Sequence, residues 1–305
     1  MSITRRKFTQ VGLGTGALMA MPLNLSASNP TLIKRKIPSS GEAIPVIGVG
    51  TNRYGVGADK TARATLSQAL QQFHALGGTV IDTAPSYGSS EIVLGELIDA
   101  LGIQDDLFLA SKVDSRNLAD NTTGYQTSFT RFNTKQFDLM QVHNFKDWQN
   151  SLALLQEKKA AGEIRYIGMT THMPSQYSLM EQAIKEQSLD FIQVNLSLAN
   201  QRTSGERLIP LAADQGVAVL INRPFGGGRV FSKLGQTSLP GWTQEFECES
   251  WGQFLLKYAL SQPGVTAAIP GMTKVRHVTD NILGGCGVMP NAKLRQRQET
   301  FFDAL

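Results

Sequence analysis

Eight short apolar or β-branched runs, each trailed by a stretch long enough for a helix, confine this chain to very few folds. The runs are Val46–Gly50, Thr79–Asp82, Leu107–Lys112, Phe137–His143, Ile164–Thr170, Phe191–Asn195, Val217–Ile221 and Val265–Ile269. The stretches between them are amphipathic. Ala62, Leu66, Ala69, Leu70, Phe73 and Leu76 share one helical face, as do Val93, Leu94, Leu97, Ile98 and Leu101. Strand and helix alternating eight times predict an α/β fold, a closed (β/α)8 TIM barrel. An open doubly wound sheet is the competitor, but no strand leads into a Gly-x-Gly-x-x-Gly turn.

Two additions decorate the barrel. Leu32–Val46 carries Ser39-Ser40-Gly41 between short extended runs, which predicts a β-hairpin plugging the N-terminal end. The gap between the seventh and eighth runs spans residues 222–264, far longer than an ordinary connection. Gly226–Glu249 is therefore expected to be an ordered insertion or lid at the C-terminal ends of the strands. No repeat or linker divides residues 29–305, so they form a single domain.

The N-terminus reads as an address. Thr4-Arg5-Arg6-Lys7-Phe8-Thr9-Gln10 precedes the uncharged run Val11–Leu25, the pattern of a twin-arginine export signal over residues 1–28. That run is too short and too weakly apolar for stable membrane insertion. The protein is expected to be periplasmic, with the twin-arginine (Tat) export machinery as a partner. The same segment explains the formal net charge of +4, because Arg5, Arg6 and Lys7 supply three of those charges and residues 1–28 hold no acid. The remaining body is near neutral, which removes nucleic acid as a partner class. With 41% hydrophobic and 18% charged residues the chain is not a disordered one. Cys248 and Cys286 are too few for a disulfide framework or a thiolate metal site, and are expected to be free thiols.

Barrel enzymes keep their chemistry at strand C-termini and in the loops that follow. Here those places hold Asp82, Tyr87 just beyond it, Lys112 and His143. Three ionisable residues closing apolar strands are costly to bury unless they pair with one another. Lys112 held by Asp82 would be a fixed cation beside Tyr87, lowering the phenol's pKa toward neutrality. A phenol so tuned is a general acid for an alkoxide forming from a carbonyl, with His143 orienting the oxygen or sharing the proton. The set lacks a reductant or a nucleophile, so a cofactor is implied. Taken singly, these residues would read as a turn cap, a loop aromatic, a surface lysine and a core histidine. Their conjunction at three successive strand ends points to function.

Asp82-Thr-Ala-x-x-Tyr87-Gly-x-Ser90-Glu91, with Gly95, Ser-Lys112 and Val-His143, resembles the aldo/keto reductase family, from the opening hairpin through Asn281. The resemblance implies that Tyr87 is the general acid, that Lys112 and Asp82 tune it, and that His143 polarises the carbonyl. It implies a bound nicotinamide cofactor, NADPH with NADH as the alternative, and no metal. The substrate would be a small-molecule aldehyde or ketone reduced to an alcohol, or the reverse, with the protein acting as a monomer.

Cofactor positions carried over by the resemblance are Thr51, Asn52, Asp82, Thr170, Thr171, Gln193, Arg223, Pro224, Phe225, Gly226, Gly228, Gly271, Met272, Thr273, Lys274, His277 and Asn281. Thr170 and Gln193 would hold the carboxamide; Thr171 stands where the family commonly has Asn. Asn222 cannot stack on the nicotinamide as the family's Tyr does, which leaves that face to Arg223 or Phe225. Gly226-Gly227-Gly228 would let backbone N–H groups approach the pyrophosphate. Gly271 to Lys274 resembles the adenosine-phosphate loop opening the last helix, with Lys274 suited to a 2′-phosphate and His277 replacing a common Arg. Two other functions fit the same residues. One is a cofactor-binding regulatory or non-redox protein, which the altered carboxamide and stacking positions motivate. The other is a Schiff-base aldolase using Lys112 as nucleophile. Trp242 and Trp251, flanking the insertion, suit either a substrate pocket or lid packing.

Overall fold

The computed structural model describes residues 31–199 and 202–305, so the expected export signal lies outside the described residues. An antiparallel hairpin, β1 (Lys34–Lys36) and β2 (Ala43–Pro45), comes first. Eight parallel strands follow: β3 (Val49–Gly50), β4 (Val80–Asp82), β5 (Phe108–Val113), β6 (Phe137–His143), β7 (Ile164–Thr171), β8 (Phe191–Asn195), β9 (Ala218–Asn222) and β10 (Val265–Ala268). Interleaved with them are α1 (Lys60–Ala75), α2 (Ser90–Leu101), α3 (Leu118–Phe132), α4 (Trp148–Ala160), α5 (Tyr177–Glu186), α6 (Thr203–Asp214), α7 (Arg229–Leu234), α8 (Trp251–Leu260) and α9 (Val275–Leu283), with α10 (Ala292–Asp303) last.

Each strand pairs with its neighbours in sequence, and the two ends of the sheet meet. Gly48 N–H donates to the Ala268 carbonyl at 2.9 Å, Ala268 N–H to Val46 at 2.9 Å, and Gly50 N–H to Pro270 at 3.1 Å. The expected (β/α)8 barrel is therefore the observed one. Its first strand is shorter than the sequence implied. Across the closing seam it pairs only at the bridges Ile47 with Ala268 and Gly50 with Gly271, so regular strand survives only at Val49–Gly50.

Strand periodicity of two sorts the residues into an outer and an inner set. Val80, Phe108, Leu139, Tyr166, Phe191, Ala218, Leu220 and Ala267 point inward and fill the lower barrel. Ile37 and Ile44 of the hairpin join that cluster, and the Arg35 guanidinium donates to the Val265 carbonyl. The hairpin is the floor that the sequence predicted. Continuing along the same inward rows, the register replaces apolar residues by Asp82, Lys112, Gln141, Thr170 and Gln193, all buried. An apolar floor thus gives way to a polar upper layer.

The long connection after β9 is ordered, as expected. Val230, Leu234, Phe246, Phe254, Leu255, Tyr258 and Phe302 form a satellite core against α8 and α10. Trp242 packs edge-on to Phe254 and Phe301 with the Arg297 guanidinium 4.4 Å over its ring, and Trp251 stacks on Phe301. Both tryptophans serve this packing. Cys248 and Cys286 are buried and are not joined to each other in a disulfide, and burial pushes the Cys248 thiol up to about 12.

Gly95 shows why the Ser90-Glu91…Gly95 spacing matters to the fold. Ser90 donates to the Thr51 carbonyl at 3.1 Å, Glu91 accepts from the Ser111 hydroxyl at 2.9 Å, and α2 then presses onto the end of α3. A Cβ at position 95 would sit 2.4 Å from the Phe132 carbonyl oxygen. The obstruction is backbone, which cannot rotate aside. Gly95→Ala is expected to lower stability by about 3 kcal/mol, read as a fall in the urea midpoint at unchanged m-value.

Candidate active site

The inward rows of β4 and β5 place two opposite charges side by side. Lys112 Nζ donates to Asp82 Oδ2 at 2.8 Å and to the Thr83 carbonyl at 2.6 Å, with the lysine 0% and the aspartate 2% exposed. Asp82 Oδ1 accepts from Gln193 Nε2 at 2.8 Å and from Gln141 Nε2 at 3.2 Å. The Thr170 hydroxyl donates to Gln193 Oε1 at 2.8 Å. Burial works against the Lys112 charge, but Asp82 and its neighbours outweigh it and raise the pKa, so the ammonium stays protonated.

Above this pair stands Tyr87, in the turn between β4 and α2. Lys112 Nζ lies 5.5 Å from its ring centre, and the His143 ring meets it edge-on at 6.3 Å. The Lys112 charge is the strongest single influence on the phenol and pulls its pKa down. Burial and the carboxylates of Asp82 and Asp114 together outweigh that pull, with Arg223 a weaker downward influence, and the net direction is up. The expected tuning toward neutral pH is corrected accordingly: the phenol of this chain holds its proton at neutral pH. A protonated phenol is still the form a general acid needs.

His143 ends β6 with Nδ1 2.8 Å from Asp114 Oδ2, an ion-pair distance without the alignment of a full hydrogen bond. Lys146 Nζ is paired with the other oxygen of Asp114. Burial opposes the Asp114 charge, but the nearby His143, Lys146 and Ser86 side chains hold its carboxyl well below the usual carboxylate range. Asp114, Lys146 and His172 were absent from the sequence-derived site. A signal existed for two of them, since Asp114 and His172 are two residues beyond Lys112 and Thr170 and continue the same inward parity.

These residues open on a cavity of about 680 Å3 at the C-terminal mouth of the barrel. Asn52, Asp82, Tyr87, His143, Thr170, Gln193, Arg223, Phe225, Gly228, Gly271, Thr273 and His277 line it, as the sequence suggested. Others stand apart from it. The Thr51 hydroxyl donates to the Asp82 carbonyl, and the Met272 carbonyl accepts from Tyr54. Thr171 is turned aside, its hydroxyl 2.6 Å from Gln176 Oε1. Pro224, Gly226, Met272 and Asn281 are buried, while Lys274 is exposed at the start of α9. Lys112 acts from behind the wall. Arg53 and Asn144 line the cavity without having been foreseen, and Asn222, which stands where the family's stacking Tyr would be, lines it too.

The glycine run needs a correction. Gly226 N–H donates to the Arg223 carbonyl at 2.8 Å and Gly228 N–H to Phe225 at 2.9 Å, so those donors are committed to a turn. What the run offers is a surface without side chains, with Gly227 and Gly228 at φ of 79° and 88° lining the cavity. Beside it, Asn144 Oδ1 and Asn222 Oδ1 are buried acceptors without a protein partner. A ligand bearing amide or hydroxyl donors fits that edge.

The sequence profile of the aldo/keto reductase family matches residues 46–284. This chain belongs to that family. Methylglyoxal reductase YeaE of Escherichia coli (strain K12) is 28% identical to it over 259 residues, covering 81% of this chain and 88% of that protein. The oxidoreductase YqkF of Bacillus subtilis (strain 168) is 25% identical over 287 residues, covering 82% and 90%. A crystal structure of an aldo/keto reductase from Klebsiella pneumoniae in complex with NADP and acetate superposes with a TM-score of 0.73 at 25% identity, covering 86% of this chain and 93% of that one. Membership makes the protein an NAD(P)-dependent oxidoreductase acting between a carbonyl and an alcohol.

Proposed function

We propose that this protein is an exported, monomeric reductase of small aldehydes and ketones, with a preference for NADPH. The observation that carries the reading is the buried Lys112–Asp82 pair held beneath Tyr87 at the cavity mouth. Tyr87 presents a protonated phenol to the substrate oxygen, and His143 orients that oxygen from the end of β6. Lys112 stabilises negative charge as it grows on the phenol once the proton has gone. A nicotinamide dinucleotide supplies the hydride when bound. Thr170 and Gln193, together with the unpartnered Asn144 and Asn222 oxygens, suit its carboxamide end; the open glycine surface suits its phosphates. A Schiff-base role for Lys112 finds no support, because its ammonium is fully buried, stays charged and is bonded to Asp82 and Thr83.

NADPH is favoured by the start of α9. Lys274 and Arg276 are exposed there beside His277, with Arg276 Nε 3.2 Å from His277 Nε2. Burial and the charges of Arg276 and Lys274 lower the His277 pKa, outweighing the opposing carboxylate of Asp280. The twin-arginine pattern at Arg5 and Arg6 supports export of the folded protein with cofactor already loaded, to be recycled by a second substrate outside the cytoplasm.

Three measurements test these readings. With methylglyoxal as the first probe, chosen from the named relative, Tyr87→Phe is expected to cut kcat by about a hundredfold or more. NADPH binding by fluorescence should stay as in the wild type, and full activity in the variant would refute the acid role. Replacing Lys274 and Arg276 together by Ala is expected to raise KM for NADPH by about tenfold while leaving that for NADH unchanged. Arg5→Lys with Arg6→Lys is expected to retain the protein in the cytoplasmic fraction, and nicotinamide should co-purify with wild-type protein recovered from the periplasm.

A further inference from the structure

The Asp114 side chain is only 4% exposed and gathers partners from two other loops. They are His143 Nδ1 at 2.8 Å, Lys146 Nζ, and the hydroxyl of Ser86, the neighbour of Tyr87. Lys146 Nζ also donates to the Asp114 carbonyl at 3.3 Å. These contacts span the connection after β6, where Asn144, Phe145 and Asp147 hold φ of 54°, 58° and 43°. Asn and Asp adopt such a backbone readily, but an aromatic residue such as Phe145 keeps it only where surrounding contacts enforce it. One ionised carboxylate therefore links the loop of the acid, the end of β5 and the loop of the histidine.

An imidazole with one nitrogen against a carboxylate keeps its proton on that nitrogen. With Nδ1 against Asp114, Nε2 is the nitrogen of His143 left for the cavity that this residue lines. Neutral, that Nε2 is an acceptor; only the imidazolium, paired with Asp114, presents an N–H to a carbonyl oxygen.

We propose that Asp114 is a positioning residue for the reduction: it fixes the tautomer and orientation of His143 and holds the Tyr87 and His143 loops at a set separation. This rests on the reductase reading of the cavity. The charge of Asp114 also reaches Tyr87, which is faced by Lys112 and Arg223 on the positive side, Asp82 and Asp114 on the negative, and the His143 ring edge-on. Neutralising Asp114 removes one of the influences that hold the phenol's pKa up. The phenol then loses its proton at lower pH.

Asp114→Asn and Asp114→Ala, compared with the wild type, separate orientation and charge from mere support. In Asp114→Asn, kcat is expected to fall by about tenfold or more at unchanged NADPH affinity, and the alkaline limb of the kcat/KM profile should move to lower pH. Unchanged kcat with an unmoved limb overturns the proposal. So does an equal loss of NADPH affinity and thermal stability in both variants, which marks a purely structural carboxylate. Imidazole nitrogen NMR shifts give a readout independent of turnover. The chain has four histidines, and His143→Gln identifies the signal of interest. Protonation at Nδ1 at neutral pH, lost in Asp114→Ala, supports the positioning role, while a ring protonated at Nε2 alone overturns it. If the Nδ1 proton is found and the wild type reduces no carbonyl, the positioning of His143 stands and the reductase reading falls.

Discussion

Lys112 and Asp82 meet inside the barrel, where each charge alone would be prohibitive. Removing an ammonium or a carboxylate from water costs several kcal/mol even after relaxation, and a buried pair holds only when its remaining donors and acceptors are satisfied. Here that condition recruits the surrounding layer. Thr83 supplies a carbonyl to the lysine, and Gln141 and Gln193 supply amide donors to the aspartate. Gln193 in turn takes the Thr170 hydroxyl. Five strands, β4 to β8, thereby have their inward polar residues tied to one ion pair, and the cavity floor is rigid because that pair cannot be rearranged cheaply.

The chemistry above the floor follows from that rigidity. A fixed cation under a phenol is worth most when negative charge arrives there, since no reorganisation is needed at that moment. In the resting protein the phenol is held protonated by burial and by two carboxylates. The same site therefore keeps its proton at rest and tolerates the phenolate after transfer. Asp114 and the Lys112–Asp82 pair both act on Tyr87.

The sequence made part of this legible through strand parity. Asp82, Lys112, His143, Thr170 and Gln193 occupy the inward rows that alternate apolar runs demand, so their convergence could be inferred from spacing. What depends on loop conformation could not. The contacts of Asp114 with Lys146 exist because three non-glycine residues after β6 adopt positive φ, and no periodicity announces that. Thr171 continued its strand, yet its hydroxyl was captured by Gln176 from the next turn. The glycine run looked like a set of free N–H donors, but a local turn had already used two of them. The phenol's pKa was misjudged because one cation was visible in the sequence, whereas burial and a second carboxylate were not.

The floor and the seam of the barrel join an early and a late segment of the described residues. Ile37 and Ile44 pack with Ala267, Arg35 reaches the Val265 carbonyl, and Gly50 pairs with Gly271 beside the residues that line the far end of the cavity. During synthesis the hairpin emerges among the first folded elements and β10 among the last, so the earliest strands wait longest for their partners. Until β10 is made, the barrel has neither a sealed base nor a complete mouth. Possession of the finished site thereby certifies that nearly the whole polypeptide has been made and folded.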